Sequence, residues 1–366
     1  MEAVSGSDRG EESAAARGGA IGVVVLGAGR SGTSAITRAF LKAGFFAGEE
    51  GELLGANPSN PVGHYEPLSV LRTNERLLER LGSVAPPRDA QRAVRGEVEP
   101  ELRTLLDDLI EKAGGAPVAV KEPRINRLLT LWGPVLDGTL HPVLAVRDPL
   151  EVARSMKHRY DTPIGHALAL WETQMAHSLE WLNGRTVTIV PFVRLIGDPQ
   201  LAAQIVHDAV PHLSPDYAKA LRPDEASSAL QPQLRTQNAD DGMHTEYLTQ
   251  QQAELWRYLE ELPADNSTLS VPDRLREPSA GASAAVLAED ERMKLLGKHN
   301  ALSSAYTESL ARQTELEERF SAAHAAGLHA AQREERSLRE LERVKASGSW
   351  RLTAPLRRLA RLRRRR

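Results

Sequence analysis

Two short segments of this sequence carry residue types that grip anions. The first is Gly27-Ala28-Gly29-Arg30-Ser31-Gly32-Thr33-Ser34. A glycine-rich turn that opens into a helix aims backbone N–H groups at one point, and the helix dipole makes that point positive. Ser31, Thr33 and Ser34 add hydroxyl donors, and Arg30 adds a permanent cation whose planar fork matches phosphate or sulfate oxygens. The second segment is Arg147-Asp148-Pro149, continued by Glu151 and Ser155. Pro149 suits a first helical turn, which puts Arg147 just before the helix and Ser155 about two turns along it. A guanidinium and a hydroxyl so placed can grip a second anionic group. The plainer reading is a helix start capped by Asp148, with Ser155 incidental.

Three readings compete for the first segment. A Walker A loop ends in Gly-Lys-Ser/Thr, but Thr33 holds the lysine position, which argues against magnesium-dependent nucleotide hydrolysis. The spacing Gly27-x-Gly29-x-x-Gly32 fits a dinucleotide fingerprint, with Glu49 and Glu50 as ribose-binding acids. That reading makes the protein an NAD(P)-dependent Rossmann oxidoreductase, yet an arginine inside the turn is unusual for it. In the third reading, Arg30-Ser31-Gly32-Thr33-Ser34 resembles the 5′-phosphosulfate loop of sulfotransferases that use 3′-phosphoadenosine 5′-phosphosulfate (PAPS). The arginine, nearby proline and serine of Arg147–Ser155 resemble that family's 3′-phosphate signature. Two more segments are similar to those of bacterial and carbohydrate sulfotransferases: Asn57-Pro58 through Gly63-His64-Tyr65-Glu66, and Lys121-Glu122-Pro123-Arg124. The resemblance spans roughly residues 21–201. Beyond it there is no Arg-Lys-Gly-x-x-Gly segment, which favours the carbohydrate or protein branch and leaves the purine side unassigned.

The resemblance implies sulfuryl transfer from PAPS to a hydroxyl of a carbohydrate or glycolipid, with adenosine 3′,5′-bisphosphate (PAP) as product and no metal. Cofactor binding falls to Gly29, Arg30, Ser31, Gly32, Thr33, Ser34, Arg147 and Ser155, joined by Lys121 and Arg124 unless these are ion-pair partners in the fold. Arg30 would neutralise charge on the leaving phosphate. The general base is open among Glu66, Glu50 and His64, in that order. A third class of function, a non-catalytic nucleotide-binding scaffold, also stays open.

These segments need a sheet to position them. Short apolar runs at 21–26, 117–120, 142–146 and 186–193 read as strands, with helical patterns at 33–43, 70–81, 101–112, 125–136, 149–159 and 165–182. Strands separated by helices imply an α/β fold, a P-loop-like parallel sheet flanked by helices. Trp171 and Met175, four apart, read as core. His141, His158, His166 and His177 form no ligand pair, so no metal site is expected. The expected domains are a disordered leader over 1–18, a sulfotransferase domain over 19–262, a Pro/Ser/Asp-rich linker over 263–284 and a long C-terminal helix over 285–346. That helix is either a short coiled coil, through which the chain would form a homodimer, or a solvated single helix.

The 366 residues include no cysteine, so thiolate catalysis and Cys-ligated zinc are excluded. The leader lacks the apolar core of a signal peptide, and no apolar run approaches the ~20 residues of a membrane helix. A cytoplasmic protein is expected. From Trp350 to Arg366 there are eight arginines and no acid; removing those charges from the formal −3 leaves −11 on the rest. The segment from Ser347 through Trp350 and Pro355 to Arg358 is similar to a tail on bacterial enzymes that build surface polysaccharides. A basic amphipathic tail over 347–366 suits peripheral contact with the inner membrane face, with nucleic acid the disfavoured rival.

Overall fold

The computed structural model describes residues 18–55, 63–198, 200–229 and 247–363, with side chains described as far as Arg358. Apart from Gly18, the leader expected over 1–18 lies outside these residues, as do Asn57 and Pro58. The described chain divides into two compact units, Met1–Arg292 and Met293–Arg366.

The first unit is built on a five-stranded sheet in the order β2-β1-β3-β4-β5. The strands are β1 (Gly22–Leu26), β2 (Val118–Val120), β3 (His141–Val146), β4 (Thr186–Pro191) and β5 (Asn266–Thr268). Strands β1 to β4 run parallel, while β5 pairs antiparallel with β4. The β1 side chains show why its sequence is continuously apolar: Val24 and Leu26 enter the core on one face, Val23 and Val25 that on the other. A parallel strand covered on both faces needs apolar residues at every position, not alternate ones.

Helix α1 (Thr33–Lys42) follows β1, α2 (Leu68–Leu81) and α3 (Arg88–Lys112) precede β2, and α4 (Leu129–Leu136) precedes β3. Helix α5 (Pro149–Tyr160) follows β3, and α6 (Ile164–Leu182) precedes β4. Trp171 and Met175 of α6 are core residues, each 1 % exposed.

Four expectations are corrected. Helix α3 begins at Arg88 and runs through Pro100; the proline ring opposes the carbonyl of Gly96, and both residues are exposed, where that lost bond can go to water. The helix expected over 125–136 is a 3₁₀ turn (Pro123–Arg127) followed by α4, because the Glu122 side chain caps the turn by accepting from Arg124 N. The strand expected to reach Val193 stops at Pro191, and Phe192 opens a short helix. The segment expected as a linker over 263–284 contains β5 and the first turn of a long helix. A polar Asn-Ser-Thr run carries little strand signal, and only pairing with β4 makes it one. The long helix runs Ala280–Ala346, and every residue from Glu291 to Ala346 is exposed.

Candidate functional site

Strands β1 and β3 are neighbours, yet the chain leaves β1 toward β2 on one side and returns to β3 on the other. At such a switch point the following loops diverge and leave a crevice beyond the strands' carboxyl ends. The Gly27–Ser34 loop follows β1, and Arg147 follows β3. Both anion-gripping segments therefore border one crevice.

The loop is clamped from below. Asn126, fully buried, accepts from Gly27 N at 3.0 Å and donates to Gly27 O at 2.9 Å. Ser178 of α6 donates to the Asn126 carbonyl oxygen at 2.9 Å, and Gln174 accepts from Gly29 N at 2.9 Å. Gly32 sits at φ +88°, and a Cβ there would lie 2.1 Å from the Phe192 ring. Gly29 is different: a Cβ there would meet nothing within 4 Å. Among the described residues, then, nothing crowds the loop at Gly29. The loop also holds donors without an acceptor among the described residues. The N–H groups of Gly32, Thr33 and Ser34 have no acceptor among the described residues, as the first turn of a helix requires. The Ser31 hydroxyl, on a residue 1 % exposed, has no partner either. A buried hydroxyl without a partner is costly, and an anion seated on the loop would relieve that cost.

Arg30 holds a left-handed backbone, φ 72°, which costs a side-chain-bearing residue about 1–2 kcal/mol. Its surroundings hold it there. Arg147 Nη1 donates to Arg30 O at 2.8 Å, and Arg30 Nε donates to Ser155 Oγ at 2.9 Å. The two motifs, 125 residues apart from Arg30 to Ser155, thus touch. Arg147 also donates to Glu151 Oε2 at 2.9 Å and lies 4.4 Å above the Phe192 ring. Burial lowers the Arg30 pKa, with Tyr160 opposing the shift and Arg159 reinforcing it.

A second cluster lies beside the loop. Lys121, immediately after β2, donates to Glu66 at 2.5 Å, to Ser34 Oγ at 3.1 Å and to His64 O at 3.3 Å. Burial lowers the Lys121 pKa, and Glu66 resists that. His64 Nδ1 lies 3.9 Å from Glu66 Oε1. Burial pushes the imidazole below its ordinary value; Glu66 opposes this, while Lys121, Arg30 and Arg159 reinforce it. His64 is therefore neutral at pH 7 and able to accept a proton. Tyr65, between them, is the other residue of this region with a left-handed backbone, φ 58°.

Of the residues picked out in the sequence, the structure brings together Gly29, Arg30, Ser31, Gly32, Thr33, Ser34, Arg147, Ser155, Lys121, His64 and Glu66. It does not bring in Glu50, which is exposed on a turn with no hydrogen bond or ion pair to the cluster. Arg124 is committed to two carboxylates, Glu122 at 2.6 Å and Glu75 at 2.9 Å. Sequence reasoning missed the clamps Asn126 and Gln174. It also missed Arg159, whose charge acts on Arg30, and the neighbouring Tyr160. Arg159 follows Ser155 by four positions on α5, the spacing that stacks side chains on one helix face, and that was a legible signal. Two recesses elsewhere, around Ala85, Thr173 and Val286 and along Arg88, Arg92 and Trp181, share no residue with the crevice.

No protein-family model matches the chain, and a search of curated proteins finds no match. Among solved structures it is similar to the sulfotransferase domain of the Synechococcus PCC 7002 olefin synthase, with a TM-score of 0.36 and 17 % identity over 66 % of this chain and 95 % of that one. It is also similar to the sulfotransferase domain from the curacin biosynthetic pathway, with a TM-score of 0.32 and 14 % identity over 72 % and 95 % of the two chains. Likeness of that degree carries no argument, and the functional reading rests on the geometry above.

Proposed function

We propose that the protein is a sulfotransferase that moves a sulfuryl group from PAPS to an acceptor hydroxyl, with carbohydrate and glycolipid hydroxyls the first acceptors to assay. One observation carries the reading: Arg30 of the loop after β1 and the Arg147/Ser155 pair after β3 meet at the switch point, joined by bonds of 2.9 and 2.8 Å. A ligand that spans both motifs needs an anionic group for each. The 5′-phosphosulfate would sit on the loop N–H groups and Ser31. The 3′-phosphate would reach Arg147 and Ser155, displacing the Arg30 guanidinium from Ser155 toward the reacting centre.

Transfer forms a bond from the acceptor oxygen to sulfur and breaks the bond from sulfur to the bridging phosphate oxygen. Arg30 neutralises the charge that builds on that oxygen. Lys121, held by Glu66, adds positive potential beside Ser34. The acceptor proton goes to a general base, and the proposal assigns that role to His64, because Glu66 is committed to Lys121 while the imidazole is kept neutral. The oxidoreductase reading fits less well: Glu49 and Glu50 lie on an exposed turn, and the acid that follows β2, Glu122, is buried and taken up by Asn74 and Arg124.

The test is transfer of ³⁵S from labelled PAPS to a panel of glycans and simple alcohols. Labelled product, lost in Arg30→Ala, supports the reading. Its pH profile should rise through a pKa below the ordinary imidazole value and lose that limb in His64→Gln. No transfer to any acceptor, together with no release of PAP, would sink it.

A further inference from the structure

The long helix does not run on into the C-terminus. It stops at Ser347, whose backbone is extended (φ −65°, ψ 147°) and whose hydroxyl accepts from Trp350 N at 3.3 Å. A new helix starts there, Gly348–Leu352 and then Ala354–Arg363. Backbone bonds from Thr353 N to Ser349 O and from Arg357 N to Thr353 O carry it across the junction. Pro355 has no N–H to give to the carbonyl four residues back, so the helix is pinched at that turn without ending.

The two sides of this helix differ in kind. Leu352 and Leu356, four apart and so on one face, are 82 % and 66 % exposed. Away from them, the Arg357 guanidinium folds back 3.6 Å above the Trp350 ring, donates to Trp350 O, and donates to Thr353 Oγ1 at 2.6 Å. Helical spacing places positions 351 and 358 on the other flank, likewise away from the leucines. The last acidic residue of the chain is Glu342; from Ser347 onward there are eight arginines and no acid.

We infer that residues 347–363 form a docking helix for an anionic lipid surface. The inference is independent of the sulfuryl-transfer reading. Charge complementarity names the partner: an acid-free arginine segment repels a second copy of itself and fits a negatively charged leaflet. The leucines decide between anionic partners. A phosphate backbone would leave Leu352 and Leu356 in water. A bilayer interface instead takes up the apolar face of such a helix, ~5–10 Å deep, while the arginines stay at the headgroups. Among the described residues no helix is long and apolar enough to cross a membrane, so the helix would lie along the surface. Each arginine near an anionic leaflet strengthens partition roughly fivefold at low salt, and salt screens that attraction within a Debye length of ~10 Å at 0.1 M.

The experiment is co-sedimentation of the full chain with vesicles of phosphatidylcholine alone and of phosphatidylcholine mixed with phosphatidylglycerol, at low and high salt. The expected result is binding to the mixed vesicles only, weakened by salt. The double variant Leu352→Glu/Leu356→Glu should bind at least ~10-fold more weakly. Both leucines are exposed, so its circular dichroism should be unchanged. Arg351→Glu/Arg358→Glu should weaken binding and flatten its salt dependence. Equal binding to neutral vesicles, or binding indifferent to the leucine substitutions, overturns the proposal. So does tighter binding to a duplex oligonucleotide than to the mixed vesicles, which would assign the segment to nucleic acid.

Discussion

Breaking the Lys121–Glu66 pair tests how the site is held together. The two side chains are 3 % and 6 % exposed and 2.5 Å apart. Removing one partner strands the other as a buried, uncompensated charge, which costs about 3–5 kcal/mol. Removing both removes the charges together, which is often close to neutral. Glu66→Gln and Lys121→Met should each therefore destabilise the first unit by about 3–5 kcal/mol. For a domain of this size each kcal/mol lowers Tm by ~2–4 °C, so a fall of roughly 10 °C is expected. The double variant should recover most of it, so the coupling energy, the two single losses less that of the double, should be at least as large as one single loss, about 3–5 kcal/mol. Urea and thermal melts followed by circular dichroism measure all three variants. Turnover of Glu66→Gln, measured where the protein is still folded, should keep the acidic limb of its pH profile, because His64 is intact. If instead Glu66→Gln melts like wild type yet loses turnover altogether, Glu66 is the base and the pairing argument fails.

Two further predictions concern His177 and Gly32. Burial lowers the His177 pKa to about 4 and the His141 pKa to about 3, from 6.5. The unfolded chain therefore takes up protons first as pH falls, and stability present above 6.5 is lost progressively down to about 4 for His177, with about 3 kcal/mol at stake. Urea midpoints should drop across that window, and the drop should shrink in His177→Gln; midpoints flat with pH would refute it. Gly32→Ala should abolish donor binding, since φ +88° strains the residue and its Cβ would meet the Phe192 ring at 2.1 Å. Isothermal titration checks this, and wild-type affinity would show that the loop is free to repack.

Much of the site was legible because it is local. Glycine, hydroxyl and arginine at fixed spacing mark an anion loop wherever a strand meets a helix, and Arg147 with Ser155 reads as a strand end plus two helical turns. What the sequence hides is long-range. Nothing near Asn126 says that its amide will bond both backbone groups of a glycine 99 positions earlier. Nothing near Lys121 says that its ammonium will take up the carboxylate first favoured as the base. Arg124 looked like a ligand for phosphate until the fold set Glu75 beside it. In the scaffold, strands covered on both faces announced themselves by uninterrupted apolar runs. Strand β5 did not, because Asn266–Thr268 is polar and only its neighbour makes it a strand. Helix α3 runs through Pro100, a residue that reads as a boundary in the sequence, because an exposed turn tolerates the missing bond.

The proposed function requires that one ligand bridge the two motifs at the switch point. Calorimetric titration with adenosine 3′,5′-bisphosphate, beside NAD and ATP, tests it most directly. Binding of the bisphosphate in preference to the other two is expected, lost in Arg147→Ala and weakened in Ser155→Ala. Binding of NAD or ATP with no binding of the bisphosphate would contradict it and return the Gly27–Ser34 loop to the dinucleotide or kinase classes.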